Sequence, residues 1–197
     1  YVPYACGAFL CRTIQDYATR NFASPYIQFP DAREPGPFTL EGSRSATGAA
    51  ATWLSLKAIG SGHDGYGRII ERTIQLRRAF SEELARVNPG IRVVPALDSN
   101  VLCFTVGRHN GPLSEANRWV QEFYGSHSSH SSRFFVSKTS LDLANYAAMA
   151  DEMFRDWQPV RDAATLDLVR LTLMNPFLAS KEMNADILEE FCAAVAR

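Results

Sequence analysis

The feature that most constrains this chain is a long helical repeat that stops abruptly. Between residues 65 and 87, apolar side chains recur at steps of three and four, which predicts a helix with one buried face. That face comprises Tyr66, Ile69, Ile70, Thr73, Leu76, Phe80, Leu84 and Val87. The sequence Asn-Pro-Gly at 88–90 ends the helix, because proline lacks a backbone donor and clashes with the preceding turn. We therefore expect different architectures on the two sides of this helix.

The residues before the long helix combine an apolar stretch, a proline-rich region and an alanine-rich helix. The stretch Tyr4–Cys11 is expected to form a buried strand. Residues 21–41 contain four prolines, which excludes a long helix there. The alanine-rich residues 45–59 predict a helix packed closely against other backbone, with Gly60 as its stop. This part of the chain is expected to be the end of something larger.

After residue 88 the pattern changes to strands interleaved with helices. Strands are predicted for the stretches IRVVPAL, NVLCFTV, RFFVSKT and TLDLVRLTLM. Helices are predicted at 114–124, 142–157 and 181–195. Together they predict a self-contained α/β unit in which helices cover an antiparallel sheet. The expected organisation is a first domain at 1–64, a linking helix at 65–88 and a small α/β domain at 89–197.

The composition of the chain argues against nucleic acid and lipid membranes as its partners. With 46% hydrophobic residues, the 197-residue chain is able to bury a sizeable core. A formal net charge of −1 indicates no basic surface for nucleic acid, and no apolar run reaches the roughly 18 residues that a membrane span needs. The four cysteines form no C-x-x-C pair and are expected to be buried reduced thiols of a cytoplasmic protein.

A candidate anion site precedes the alanine-rich helix, in the sequence TLEGSRS at 39–45. Gly42 allows close backbone approach to a ligand. Ser43 and Ser45 add hydroxyl groups at a helix start, where the helix dipole favours an anion. Arg44 adds a permanent positive charge. An ordinary helix cap with an exposed arginine is the alternative, and the residues alone do not decide between them.

Arg170 is the second candidate, because it lies inside the apolar strand sequence DLVRLTLM. A guanidinium group in that position must pair with something or reach solvent. One interpretation is a ligand for a substrate carboxylate, which the planar guanidinium fork matches. The alternatives are an edge-strand arginine or one paired with Asp162 or Asp167, and the sequence leaves all of them open.

Other chemistry has weaker support in the sequence. His127 and His130 lie in a polar run without acidic or cysteine ligands nearby, so no metal site is predicted. None of the three lysines, Lys57, Lys138 and Lys181, has a context that marks a covalent cofactor link. The chain contains no G-x-S-x-G, Walker or G-x-G-x-x-G motif.

Four stretches, taken in order, resemble the carboxyl-terminal half of the group II pyridoxal-phosphate-dependent amino-acid decarboxylases. They are YVPYACGAFLCR, FTLEGSRSATGAAATWLSLKAIG, FFVSKT and VRLTLMNPF. The resemblance implies an aspartate-aminotransferase-like (fold type I) α/β protein. In that fold, residues 1–64 would end the large cofactor domain, and 89–197 would form the small domain with its antiparallel sheet. It also implies pyridoxal 5′-phosphate as cofactor and a homodimer with shared active sites.

The resemblance further assigns roles to individual residues. In the family, the lysine that links to the cofactor lies just before the segment that matches YVPY, so it is expected upstream of Tyr1 and no catalytic residue is expected in this chain. Gly42 and Ser43 match the segment that reaches the cofactor phosphate. Arg170 matches an arginine near the substrate carboxylate, and Tyr1 and Tyr4 would line the substrate pocket.

The expected activity is decarboxylation of an L-amino acid, with this chain as a carboxyl-terminal portion of the enzyme. Two alternatives remain open at this point. One is an aldehyde lyase of the sphingosine-phosphate lyase type, which has a similar Gly-Ser-Arg segment. The other is an inactive fragment that serves as a dimerisation or binding module. The sequence does not indicate which amino acid is the substrate.

Overall fold

A computed structural model describes residues 6–8, 10–13, 15–16, 45–95, 98–128, 134–178 and 187–197. The chain divides into two compact units, Tyr1–Tyr66 and Gly67–Arg197. Among the described residues, no helix is both long enough and apolar enough to cross a lipid bilayer.

The first unit contains helix α1, Thr47–Ile59, close to the helix predicted at 45–59. The helix ends at Gly60, whose φ of +89° favours glycine and whose N–H donates to the carbonyl of Leu56 at 3.0 Å. The loop that follows is tight, because a Cβ on Gly65 would lie 2.1 Å from the carbonyl oxygen of Gly60. Glycine is therefore required at 65 for the backbone to pass this closely.

The buried strand predicted for Tyr4–Cys11 is wrong where the structure describes it. Residues 6–8 and 10–11 are not in a strand, and Leu10 is 89% exposed. An extended segment needs a partner strand for its backbone donors and acceptors, and none of the described residues of the first unit is in a strand. The apolar composition of this stretch was therefore not enough to predict burial.

The cysteines are free thiols, but the prediction that all are buried is also wrong. Cys192 is buried and Cys103 is partly buried, whereas Cys6 is exposed. The difference follows the secondary structure, because Cys192 and Cys103 belong to elements of the second unit that contribute to its core, and Cys6 lies outside any described helix or strand.

The long helix forms as α2, Arg68–Val87, preceded by a π-helical turn at His63–Gly67. Its buried residues follow the predicted face, namely Thr73, Leu76, Phe80 and Leu84. Ile70 was predicted on the same face and is 50% exposed. At 100° per residue it lies roughly 80° from the centre of the buried stripe, so the stripe is narrower than predicted.

The second unit contains a four-stranded antiparallel sheet, as predicted. Its strands are β1 (Ile91–Val93), β2 (Val101–Val106), β3 (Ser137–Asp142) and β4 (Thr165–Thr172). The spatial order is β1-β2-β4-β3, so β4 is a central strand that pairs with both β2 and β3. The sheet agrees with the predicted fold class.

Strand β3 begins four residues later than the sequence predicted. Phe134 stacks on His127 with ring centroids 5.0 Å apart, and the Val136 N–H donates to the His127 carbonyl at 3.0 Å. These contacts attach residues 134–136 to the end of helix α3, Leu113–His127, so pairing with β4 starts only at Ser137.

Helices cover both faces of the sheet and build two hydrophobic clusters. Side chains alternate along β4, so Val169 and Leu171 face one way and Leu166 and Leu168 the other. The first pair packs with α2, with part of α3 and with α5, Ile187–Val195. The second pair packs with α4, Ala147–Trp157. The second unit therefore has a two-sided core of its own.

Candidate functional site around Arg170

Arg170 lies in the middle of the sheet, which excludes the edge-strand interpretation. Its backbone is paired with Cys103 of β2 on one side and with Ser137 of β3 on the other. The side chain is nevertheless exposed, because it is on the face that α4 covers and lies near the end of β4, two positions beyond the buried Leu168. The backbone at Arg170 is held by strands on both sides, while the guanidinium group remains exposed to solvent and to ligands.

The pairing of Arg170 with Asp162 or Asp167 is also excluded. Asp162 accepts hydrogen bonds from the backbone and hydroxyl of Ser114, at 2.9 and 2.5 Å. Asp167 is three residues from Arg170 on the same strand and therefore points to the opposite face of the sheet. Within the described ranges, Arg170 makes no ion pair.

Among the residues that the structure describes, the Arg170 side chain makes its polar contact with Ser137. The Arg170 Nε–H donates to the Ser137 Oγ at 3.2 Å, and the Ser137 hydroxyl donates to the Arg170 carbonyl at 2.9 Å. This arrangement uses Nε, and the two terminal nitrogens of the guanidinium group have no partner among the described residues, so they remain as donors for a carboxylate. Ser137 therefore orients Arg170 without neutralising it.

The charge of Arg170 also affects the pKa of the Cys103 thiol. Burial raises the pKa of Cys103, and the positive charge of Arg170 lowers it in part. Cys103 and Arg170 are paired across β2 and β4, so the guanidinium charge acts on the neighbouring strand.

A cleft opens on the α2 and α5 face of the sheet where β4 extends beyond the start of β3, and Arg170 is among its lining residues although its side chain is on the α4 face. Its volume is about 420 Å³. The lining is mostly apolar and comes from α2, from residues 134–137, from β4 and the residues after it, and from α5. The lining residues are Phe80, Phe134, Phe135, Val136, Ser137, Arg170, Leu171, Thr172, Leu173, Met174, Leu178, Ile187 and Phe191. An apolar cleft of this size with few polar groups is typical of a small-molecule site.

Asp167 is a buried carboxylate that the sequence analysis did not single out as functional. It accepts hydrogen bonds from Gln121 Nε2 at 2.5 Å and from the Ser140 hydroxyl, and its backbone N–H donates to Asn117 Oδ1 at 2.8 Å. These bonds tie α3 to β3 and β4. The sequence signal that could have identified this carboxylate is an acidic residue inside the apolar pattern of β4.

The start of α1 partly fits the phosphate end of a cofactor. Its N-cap residue, Ala46, provides no side-chain cap, and no acidic residue occurs in the first turn. The Ser45 Oγ accepts a hydrogen bond from the Thr47 N–H at 3.2 Å. A helix start without a competing carboxylate is favourable for an anion. Gly42 and Ser43, the predicted phosphate ligands, lie outside the described residues, as do Tyr1 and Tyr4.

The described lysines do not fit a covalent link to a cofactor. Lys138 donates to Gln121 Oε1 and lies over the ring of Tyr124, 5.2 Å from its centroid. Lys57 lies 5.8 Å from the ring centroid of Trp53 on the same helix. His127 stacks on two phenylalanine rings, and the described part of the chain holds no cluster of metal-ligating side chains.

Comparison with known proteins identifies relatives among decarboxylases. An L-tyrosine decarboxylase of Levilactobacillus brevis is 22% identical over 202 residues, which cover 92% of this chain and 32% of that protein. An L-tyrosine decarboxylase of Enterococcus faecium is 29% identical over 91 residues, covering 45% of this chain and 15% of that protein. No protein-family model matches the chain.

The fold has a counterpart among solved structures. The crystal structure of mouse CSAD in its apo form superposes with a TM-score of 0.54 at 16% sequence identity, and the match covers 92% of this chain and 34% of that one. This chain thus spans about a third of the length of the L. brevis enzyme and of mouse CSAD. The fold is that of part of a fold type I pyridoxal-phosphate enzyme. The chain is accordingly similar in sequence and fold to part of the group II pyridoxal-phosphate-dependent decarboxylases.

Proposed function

We propose that this chain is a carboxyl-terminal portion of a pyridoxal-phosphate-dependent decarboxylase that acts on an L-amino acid. The observation that carries the proposal is the orientation of the exposed Arg170 by Ser137, with no ion pair for its guanidinium group among the described residues. The similarity to two L-tyrosine decarboxylases supports the same reaction class. Residues 1–64 would end the cofactor domain, 65–88 would link the domains, and 89–197 would form the small domain.

In this proposal, Gly42, Ser43 and the N-terminus of α1 hold the phosphate of the cofactor. When bound, pyridoxal phosphate supplies an electron sink for the carbanion left by carbon dioxide. The covalent lysine lies outside the described residues, and the resemblance puts it before Tyr1. Substitution Ser43→Ala in the full gene product is expected to weaken cofactor retention, whereas unchanged cofactor affinity would contradict this assignment.

Arg170 binds and orients the substrate carboxylate through its terminal nitrogens, and Ser137 fixes the angle of the guanidinium group. Where the carboxylate is poorly solvated, departure of neutral carbon dioxide is favoured. Tyr1 and Tyr4 would contribute to the wall of the substrate pocket.

We also propose that the full protein is a homodimer with shared active sites and that it is cytoplasmic. The dimer follows from the resemblance, and the four free thiols support a reducing compartment. Sedimentation of the full gene product tests the dimer, and a count of reactive thiols in freshly lysed cells tests the compartment. A monomer in sedimentation, or a protein with oxidised cysteines, contradicts these two assignments.

The test of the reaction compares carbon dioxide with aldehyde. The full gene product, loaded with cofactor and given an L-amino acid, should release one carbon dioxide for each amine formed. Aldehyde formed from a phosphorylated amino alcohol, without carbon dioxide, would instead establish the aldehyde-lyase alternative. An inactive module would give neither product and no cofactor absorption band near the visible range.

A further inference from the structure

Strand β3 is the longer edge of the antiparallel sheet. In the order β1-β2-β4-β3, the edge strands are β1 and β3, with three and six residues. The inner side of β3 pairs with β4 over Ser137–Asp142. Apart from the Asp142 carbonyl, which accepts from the Tyr146 N–H at 3.0 Å, its backbone makes no hydrogen bond outside the sheet to any described residue. Backbone donors and acceptors on the outer side therefore remain for another strand.

The helices of the second unit cover the centre of the sheet rather than this edge. Strand β4 has buried side chains on both faces, whereas no residue of β3 is buried. Val120 and Phe123 of α3 pack with Phe104 of β2 and Val169 of β4. Of the β3 residues, Leu141 alone packs against a buried cluster. Within the described second unit, the edge is therefore open to a strand that approaches in the plane of the sheet.

The two charged side chains of β3 have no ion pair among the described residues. Lys138 donates to the neutral side-chain amide of Gln121. The Asp142 Oδ1 accepts from the backbone N–H groups of Ala144 and Asn145, each at 2.9 Å. Lys138 and Asp142 do not reach each other, because four residues of extended strand separate them by about 13 Å. One positive and one negative charge therefore lie uncompensated near opposite ends of the same edge.

A second copy of β3 supplies both missing charges. Antiparallel pairing of an edge strand with its own copy across a two-fold axis keeps each side chain on its own face, so the numbers of paired residues have an even sum. Two such registers pair five of the six residues of the strand, one centred on Thr139 and the other on Ser140. The register centred on Ser140 places Lys138 opposite Asp142 at both ends, and the other does not. Directly opposite unlike charges stabilise a strand pair, whereas like charges destabilise it.

We propose that two copies of this chain associate by antiparallel pairing of their β3 strands, with Ser140 at the two-fold axis and a Lys138–Asp142 ion pair on each side of it. The contact joins two four-stranded sheets into one continuous sheet. It is additional to the dimer with shared active sites that is proposed above. A lysine on an edge strand discourages pairing with unrelated strands, so the charge that permits self-association also limits other partners. One pair of short strands buries less area than a permanent dimer does, so the association is expected to depend on concentration.

Disulfide trapping in the full gene product tests the register. In a background with Cys6→Ser and Cys11→Ser, Ser140→Cys places the two new thiols directly opposite each other, with Cα atoms about 4.5–5.5 Å apart, which a disulfide spans. Mild oxidation should link most chains into pairs on a non-reducing gel, relative to the same background without a new cysteine. Thr139→Cys is the matched control, because its thiols lie on a diagonal of about 7–8 Å and should stay unlinked. A linked Thr139→Cys or an unlinked Ser140→Cys would overturn the proposal.

Charge variants test which side chains meet. By sedimentation equilibrium, Lys138→Glu and Asp142→Lys should each weaken self-association roughly tenfold, because each change places like charges opposite each other at both ends. An equimolar mixture of the two variants should recover the wild-type affinity, since each chain then carries the charges that the other lacks. Arg78→Glu, at an exposed arginine of α2, is the control and should change nothing. No recovery in the mixture, or an equal loss in Arg78→Glu, contradicts the proposed contact.

The proposed function and this inference fail separately, because neither measurement of association involves carbon dioxide. If the full gene product releases carbon dioxide but does not link through Ser140→Cys, the interface is overturned and the decarboxylase proposal stands. Linked pairs without carbon dioxide from any amino acid would support the interface and contradict the decarboxylase.

Discussion

Helices α1 and α2 belong to different units of the chain and differ in what they bury. The 13 residues of α1 are mostly apolar and none is buried, with Trp53 59% exposed. The 20 residues of α2 include five arginines and bury a narrow stripe. A helix with apolar residues all round is typical of a protein interior, whereas a striped helix covers a surface. The comparison shows that the periodicity of apolar residues, rather than their number, predicts which helix is buried against the other described residues.

The largest effect that distinguishes the two units is expected from a matched pair of leucines. Leu84 in α2 is fully buried and Leu54 in α1 is 58% exposed. Leu84→Ala should lower the free energy of unfolding by about 2–5 kcal/mol, because it leaves a cavity in the core. Leu54→Ala should change it by less than about 0.5 kcal/mol. Urea unfolding followed by circular dichroism measures both, and equal losses would contradict the comparison.

Two glycines of the second unit should respond with opposite signs. A Cβ on Gly107 would lie 2.2 Å from the ring of Trp157, which is fully buried and donates its Nε1–H to the Arg108 carbonyl at 2.9 Å. Gly107→Ala should therefore cost about 1–3 kcal/mol of unfolding free energy. Gly125→Ala, in α3 with no atom within 4 Å of the new methyl group, should stabilise by about 0.5–1 kcal/mol. A stabilising Gly107→Ala would show that the Trp157 ring is free to move.

The polar network around Asp167 should contribute less than the largest core effects. Asp167→Ala leaves the Gln121 amide and the Ser140 hydroxyl without their acceptor, and should cost about 1–3 kcal/mol. Asp98→Ala is the control, because that side chain is exposed. Thermal unfolding of both variants checks the difference, and an equally small change in both would mean that water replaces the lost carboxylate.

The effect of the thiols on stability is the smallest at neutral pH, and it grows as pH rises. Cys6 of the first unit is exposed and should react rapidly with a thiol reagent, whereas buried Cys192 should react only on unfolding. Burial raises the pKa of Cys192 from 9.0 to about 11. The unfolded thiol therefore ionises first, so stability should fall as pH rises from about 9 to about 11. Cys192→Ala should lack this component, and an identical pH profile in both proteins would contradict it.

The second unit was largely predictable from its sequence, whereas in the described part of the first unit the alanine-rich helix was predicted and the apolar stretch before it was not. The face of α2 and all four strands were predicted because each pattern is satisfied by partners within the same 131-residue unit. The start of β3 was missed, because Phe134 and Val136 contact His127 at the end of α3, and an alternating strand pattern does not reveal contacts with a helix end. The buried strand predicted at Tyr4–Cys11 is wrong for a related reason, since an apolar segment becomes a buried strand only where another strand pairs with it.

The candidate site was predicted in part. Arg170 was identified from its charge inside an apolar strand, but the role of Ser137 was not. Ser137 and Arg170 are 33 residues apart in the sequence, and the register that pairs them depends on how β3 and β4 align and on where β3 starts. The cleft also depends on this register, because it forms where β4 continues beyond the first residue of β3. Neither is encoded by a local pattern.

The most direct test of the account is the steady-state kinetics of the full gene product with Arg170→Met. Loss of the carboxylate contact is expected to lower kcat/KM for the amino acid by roughly tenfold or more, mainly through KM, while cofactor absorption stays unchanged. Arg170→Lys should recover part of the loss, because it keeps the charge without the fork. An unchanged kcat/KM in Arg170→Met would contradict the assignment of this arginine.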